Sequence, residues 1–371
     1  MRVESESASG GLENEERYVL ELNALKDGDV ILEAGYALHS AAIKAAIESS
    51  YSHVMIYLER SIFEATKNGS VFTRVPNRFT VKSANDLKVL RYNDGLNSES
   101  LDRMINHARG QVATYYSVPE AVRSAKGKKP TVKRNGQFCS RLVAEILSAG
   151  GVKVAKNIHY CSPADIERTQ ESGMFTEVQD AVRKATPAEI AHAYAGELHP
   201  KHQKATVQWT KRARKLIDRK HVQNMNDIFQ ALIDSRSLAL DKQIASAMID
   251  SGYLDAYGDE RAKNAYRVSI EEFFRRLDAD QISLTDEIIK EVSVVRNLVR
   301  NIGPARENFR NTGGFYRVLK IEKDICEQGL RHASERLGVI LAVCAIKRIE
   351  SEEVEIAHRL SISVSRALSG S

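Results

Sequence analysis

The chain has 371 residues, of which 28% are charged and 43% are apolar, and its formal net charge is +5. This length suits two domains, and the ordinary apolar fraction excludes a disordered or collagen-like chain. The longest apolar run, 337–346, is half the ~20 residues that a membrane-spanning helix needs, so we expect a soluble protein without a transmembrane segment.

The N-terminal segment 1–17 is acidic, small and polar, and it lacks the apolar core of a secretory signal. It therefore predicts a disordered acidic tail. The cysteines show neither the spacing of a metal site nor the density of a disulfide framework; they are Cys139, Cys161, Cys326 and Cys344. We expect a cytoplasmic protein with free thiols and with no metal or other cofactor.

Short apolar segments separated by turn signals follow the tail, which is typical of β-strands. We expect strands over 29–32, 54–58, 62–65, 71–73 and 87–92, with one helix over 38–47. Successive short strands favour an antiparallel sheet.

Helices are predicted next over 98–109 and 138–149, and Gly150-Gly151 provides a C-cap for the second. Ser162-Pro163 is typical of a helix start, because serine caps the N-terminus and proline suits the first turn. With a last strand near 174–178, these elements predict an α+β domain over 18–180.

The remaining sequence predicts a helix from Thr186-Pro187, then a basic linker, and from about 222 to 371 an all-helical domain of unknown role. We place the helix and linker together over 181–221. Within the helical domain, Gly303-Pro304 predicts an interruption. Four apolar residues at heptad spacing form either part of the core or a self-association surface; they are Ile288, Val292, Val295 and Val299.

Two segments carry a strong local excess of positive charge. Segment 201–220 has eight Lys or Arg and one acid, and segment 121–134 has six Lys or Arg and no acid. Each is either a solvated loop or a surface for phosphate groups, so an anionic surface or a nucleic acid is a candidate partner of 201–220. In the second segment we single out Lys128, Lys129, Lys133 and Arg134.

His53 and Glu64 lie on two successive predicted strands. If the connecting turn is centred on Leu58-Glu59 they face each other directly, and if it is centred on Glu59-Arg60 they are diagonal neighbours. Both registers keep them on one face, because side chains alternate with period two. A carboxylate beside an imidazole fixes its tautomer and stabilises its protonated form.

Cys139 opens an amphipathic helix, where free backbone N–H groups and the helix dipole stabilise a thiolate. A cysteine, a histidine and a glutamate form a complete set for nucleophilic acyl transfer, with the backbone N–H of Cys139 as an oxyanion donor. We take the neighbouring Tyr51, Ser52 and Ser140 as the candidate substrate or oxyanion pocket.

The order of these motifs resembles the YiiX/YaeF-like group, the permuted branch of the NlpC-type papain-like cysteine hydrolases. The cysteine comes after the histidine, whereas ordinary papain relatives have the reverse order. The resemblance covers roughly residues 25–180 and rests on these segments: Gly28-Asp29-Val30-Ile31, Tyr51-Ser52-His53, Glu64-Ala65, Cys139-Ser140-Arg141-Leu142-Val143 and Ser162-Pro163.

This resemblance implies a permuted papain-like domain whose antiparallel sheet packs on the cysteine-bearing helix. It also implies a thiol hydrolase or acyltransferase with Cys139 as nucleophile, His53 as base and Glu64 as orienting residue. The substrate would be a peptide or another amide, or a lipid acyl ester. The alternative is a module of the same fold that binds a lipid or a partner protein without turnover. The resemblance does not extend to the helical half, and the oligomeric state stays open.

The other cysteines are weaker candidates for the nucleophile. Cys161 also precedes a helix start, but no apolar helix of the kind that follows Cys139 anchors it. Cys326 and Cys344 lie in apolar helical segments, which is typical of core packing. His159 is close to Cys161 in sequence, but two ligands do not make a metal site.

Overall fold

A computed structural model describes residues 16–35, 49–66, 71–74, 79–125, 136–194, 199–217 and 222–370. The chain divides into two compact units, Met1–Gly196 and Glu197–Ser371. The division therefore falls before the basic segment that was expected to link the domains. None of the described helices combines the length and apolar character needed to cross a membrane.

The first unit is built on a six-stranded antiparallel sheet with the strand order β5-β4-β3-β2-β6-β7. The strands lie close to their expected positions: β2 Val30–Glu33, β3 His53–Leu58, β4 Ser61–Ala65, β5 Val71–Arg74, β6 Leu87–Tyr92 and β7 Phe175–Glu177. Two short strands, β1 Tyr18–Leu20 and β8 Val182–Lys184, pair separately. The sequence analysis did not predict this second pairing.

The helices of this unit are α1 Ser98–Gly110, α2 Val118–Ala125, α3 Cys139–Ala149, α4 Pro163–Glu167 and α5 Pro187–Tyr194. Helix α3 packs against β3 and β4. The helix predicted over 38–47 lies outside the described residues.

Period-two alternation along the strands creates two apolar clusters in this unit. Val54 and Ile56 pack in the same cluster as Leu142 of α3, whereas Met55 packs in a second cluster with Val81. Burying both faces of the central strands explains why their sequences are apolar almost throughout. The sheet thereby holds α3 in a fixed position relative to β3.

The second unit consists of helices: α6 His199–Ile217, α7 Met225–Ser235, α8 Leu238–Asp250, α9 Ala256–Lys263, α10 Ile270–Asp278, α11 Leu284–Asn311, α12 Arg317–Lys347 and α13 Glu352–Ser369. The basic segment 201–220 thus contains a helix where a linker was expected. Ala205, Trp209 and Ala213 recur every four residues and are buried, so one face of α6 contributes to the core while the lysines stay outside.

Helix α11 also differs from the expectation, because it continues through Gly303-Pro304. A proline inside a helix costs roughly 3 kcal/mol. The flanking Ile302 and Ala305 are buried in the unit's core, and their packing offsets that cost. Of the four residues at heptad spacing, Ile288 and Val295 are fully buried in the same core. These four residues therefore form part of the core of the second unit.

Candidate active site

His53 and Glu64 meet across neighbouring strands. The pairing of β3 with β4 includes Leu58↔Ser61, so the turn is centred on Glu59-Arg60, the second of the two registers considered. Both turn residues have positive φ, which matches the twist of a two-residue hairpin. The His53 Nε2 atom lies 2.9 Å from Glu64 Oε2.

Cys139 is the first residue of α3, and its side chain is buried. The N-cap residue Phe138 forms no side-chain hydrogen bond to the first turn, so the helix N-terminus has no side-chain cap. The backbone N–H groups of Val54 and Ser140 lie near the Cys139 sulfur and help to lower the pKa of its thiol. Backbone groups of two elements, β3 and α3, therefore favour the thiolate form of Cys139.

His53 completes the arrangement, because its imidazole lies close enough to Cys139 for each group to shift the pKa of the other. Because Glu64 engages Nε2, Nδ1 is the nitrogen left for the thiol. Burial opposes the lowering of the Cys139 pKa, but the His53 hydrogen bond and charge outweigh it, and the net pKa falls. Burial likewise opposes protonation of His53, but its contacts with Cys139 and Glu64 raise its pKa well above the usual value.

Tyr116 also lies close to the thiol, and the sequence analysis missed it. It pairs with Gln137 in an isolated parallel bridge, which links its segment to the residues just before Cys139. Burial and the nearby Cys139 raise the pKa of its phenol, so the group stays a neutral donor. The only sequence signal was a tyrosine 23 positions before the cysteine, and the bridge that unites them is not local.

The backbone that leads into Cys139 is held by several contacts. Gly136 adopts φ +85, and a Cβ atom there would lie 2.8–2.9 Å from Tyr115 and Ser117. The buried Arg141 guanidinium donates to the Gly136 carbonyl at 2.9 Å and to Glu120 at 3.0 Å. Helix α3 therefore fixes its own approach segment.

Glu145 of α3 anchors the same segment by a side-chain contact. Gln137 Nε2 donates to its Oε2 at 2.6 Å, and His159 Nδ1 lies 2.8 Å from its Oε1. Burial opposes ionisation of Glu145, but the nearby His107 and the contacts with Gln137 and His159 outweigh it and lower the pKa. The carboxylate thus stays charged and keeps Gln137 in place.

The three predicted pocket residues are engaged with the backbone. Tyr51 Oη donates to the Asn85 carbonyl at 3.3 Å, and Ser140 Oγ donates to the Cys161 carbonyl at 2.7 Å. Ser52 Oγ accepts from the Gly35 N–H at 3.1 Å. Contact with substrate stays a prediction for all three. The basic residues Lys128, Lys129, Lys133 and Arg134 lie outside the described residues.

The other three thiols lack activating partners. Burial raises the pKa of Cys161 and Cys344, and it raises the pKa of Cys326 to about 12. Cys139 differs from all of them because its pKa is lowered. Within the described ranges, no three His, Cys, Asp or Glu side chains are placed to hold a metal ion.

The fold and the site together define a papain-like domain in which the histidine strand precedes the cysteine helix. Residues 24–195 match the model of the family described as permuted papain-like amidase enzyme, YaeF/YiiX, C92. The resemblance and fold class predicted from the sequence are thereby confirmed for this segment. The family's description supports a hydrolase of the amidase class.

Among solved structures, the chain is similar to the crystal structure of metalloprotein YiiX from Escherichia coli O157:H7. The identity is 17%, the match covers 43% of this chain and 96% of that chain, and the TM-score is 0.28. No curated protein matches the sequence.

Proposed function

We propose that the first unit is a cysteine amidase that cleaves its substrate through a thioester on Cys139. The observation that carries the proposal is the juxtaposition of Cys139, His53 and Glu64: His53 lowers the pKa of the Cys139 thiol, and its Nε2 lies 2.9 Å from Glu64 Oε2. Opposite pKa shifts of a thiol and an imidazole are what a thiolate–imidazolium pair requires.

In the proposed reaction the Cys139 thiolate adds to the substrate carbonyl carbon. The negative oxygen that forms accepts hydrogen bonds from the uncapped N–H groups at the start of α3, and the Tyr116 phenol is a further neutral donor nearby. The imidazolium of His53 protonates the leaving amine as the C–N bond breaks, which leaves a thioester.

Water completes the cycle by attacking the thioester carbonyl. His53, now neutral, accepts the proton of that water, and the C–S bond breaks to release a carboxylic acid and the thiolate. A different acceptor in place of water would make the enzyme an acyltransferase. We place a peptide-type amide first as substrate because the matching family is described as amidases, with a lipid acyl ester as the second choice.

The experiment is alkylation of the full chain by iodoacetamide between pH 5 and 9, with the modified cysteine located by peptide mass. Because the Cys139 pKa is lowered, we expect its rate at pH 6 to exceed that of a model thiol by at least about ten-fold. Cys161→Ser is the matched control and leaves this rate unchanged, since its thiol is buried with a raised pKa.

His53→Ala removes the advantage over the model thiol if the proposal is right. A Cys139 rate at pH 6 equal to that of the model thiol would contradict an activated nucleophile. A Cys139→Ala variant that keeps the cellular phenotype of the wild type would favour the binding module instead.

A further inference from the structure

A groove on the second unit lies between α8 and α12 and encloses a volume of about 440 Å³. Each helix presents one face to it, with residues spaced as i, i+3, i+4 and i+7. The lining residues from α8 are Lys242, Ala245, Ser246, Ile249 and Asp250. Those from α12 are Arg317, Lys320, Ile321 and Asp324.

The groove is fixed at one end by a buried carboxylate. Asp241, at the start of α8, accepts from the backbone N–H groups of Arg317 and Val318 at 2.9 and 3.0 Å. The first turns of α8 and α12 are thus bound together. From this end the lining of α8 extends over nine residues, a rise of about 12 Å or two turns of a helix.

The middle of the groove is apolar and open to solvent. Ile249 is 58% exposed, which is unusual for an isoleucine, and Ile321 from the facing helix is half-buried beside it. An enclosed small-molecule site would instead bury such side chains. The shape fits the apolar stripe of a short helix.

The acids of the groove are already paired within the unit. Arg212 of α6 binds Asp250 at 2.9 Å, and Asp324 is bound by Lys320 at 2.5 Å and Lys323 at 2.8 Å. By contrast, no described residue forms an ion pair with the side chains of Lys242 and Arg317, which mark the fixed end. The uncompensated charge of the groove is positive.

We propose that this groove docks a short amphipathic helix of a partner protein, with its apolar stripe on Ile249 and Ile321 and with acidic side chains facing Lys242 and Arg317. Charge complementarity selects an acidic partner, and the two-turn length sets the size of its contact. The proposal is independent of the chemistry of the first unit.

The test measures binding to the full chain by fluorescence anisotropy of a labelled 14-residue helical peptide with leucines along one face and glutamates beside them. A peptide with lysines in place of the glutamates is the charge control. We expect the acidic peptide to bind at least about ten-fold more tightly than the basic one, with an affinity that falls as salt is added.

Two groove variants separate the charge and the apolar contributions. Lys242→Glu/Arg317→Glu and, separately, Ile249→Ser should each weaken binding by about ten-fold or more, and all three positions are exposed enough for the fold to tolerate the change. The matched control Lys204→Glu/Arg359→Glu makes the same charge change at exposed positions outside the groove, and should leave affinity within about two-fold.

Equal affinity for both peptides, or unchanged affinity in the groove variants, would overturn the proposal. Displacement of the peptide by hexaglutamate at the same concentration would also overturn it, because the apolar stripe would then contribute nothing. Sedimentation shows whether a second copy of the chain is the occupant. Self-association that the groove variants abolish would exclude the partner helix.

Discussion

Cys139 and His53 determine each other's protonation state, since each stabilises the charged form of its neighbour. The Cys139 pKa is lowered and the His53 pKa is raised, so there is a pH range in which the thiolate and the imidazolium coexist. Reactivity should therefore rise with pH through the lowered thiol pKa and then reach a plateau. Glu64 extends that range by favouring the protonated imidazole.

Replacing Glu64 with Gln tests this contribution. The amide oxygen still accepts from His53 Nε2, but the negative charge is lost, so the His53 pKa falls and the thiolate is less favoured. We expect the alkylation rate of Cys139 at pH 6 to fall by about ten-fold, corresponding to one pKa unit, with little change in thermal stability. An unchanged pH profile would show that Glu64 only fills space.

The pairing of His53 with Glu64 could be predicted from the sequence because strand alternation places both on one face in either register. The register itself could not be predicted, since the turn Glu59-Arg60 lacks the glycine or asparagine that usually marks such turns. Tyr116 could not be found either. Its position depends on a bridge to Gln137 that no local pattern encodes.

At the scale of elements, the site depends on the bend that precedes α3. Gly136 adopts a φ that costs other residues about 1–2 kcal/mol, and it has no space for a Cβ atom beside Tyr115 and Ser117. Gly173 has a similar φ of +71, but nothing lies within 4 Å of its Cβ position. A side chain at Gly173 would therefore introduce backbone strain alone, whereas a side chain at Gly136 would introduce both backbone strain and steric clashes.

Gly136→Ala should destabilise the first unit by about 2 kcal/mol or more and slow alkylation of Cys139, because the start of α3 must shift. Gly173→Ala should cost only about 1 kcal/mol and leave the alkylation rate unchanged. Urea unfolding and the alkylation assay measure both effects. Equal loss of reactivity in the two variants would mean that Gly136 does not position the thiol.

Helix α6 shows how a charge pattern can obscure an amphipathic one. In segment 201–220 the basic residues outnumber the single acid by seven, which suggested a linker, yet Trp209 and its neighbours at four-residue spacing pack in the core. The helix at Ser162-Pro163 was predicted correctly, because its capping residues act locally; Ser162 and Asp165 form a capping box there. Local capping interactions could be predicted from the sequence, whereas packing against helices distant in the chain could not.

At the scale of the whole molecule, each unit has its own apolar cores, and no residue belongs to cores of both among the residues described. The single tryptophan of the chain, Trp209, is buried in the second unit. Its fluorescence therefore reports the unfolding of the second unit, while alkylation of Cys139 reports on the first.

Leu330→Ala removes a fully buried side chain from the second unit, at a cost of about 2–5 kcal/mol. We expect the Trp209 transition to fall by about 10 °C while the alkylation rate of Cys139 at 25 °C stays unchanged. Leu142→Ala, a matched substitution in the first unit, should leave the Trp209 transition in place. A shift of that transition by both variants would show that the units unfold together.

The position of the histidine strand ahead of the cysteine helix has a consequence for biosynthesis. Glu64 is translated 75 residues before Cys139, which at ribosomal speed is roughly 4 to 15 s. The nascent chain can therefore form the hairpin of β3 and β4 before the nucleophile exists. The thiol is then activated only as α3 docks onto that hairpin, so a polypeptide arrested early in synthesis carries no reactive sulfur.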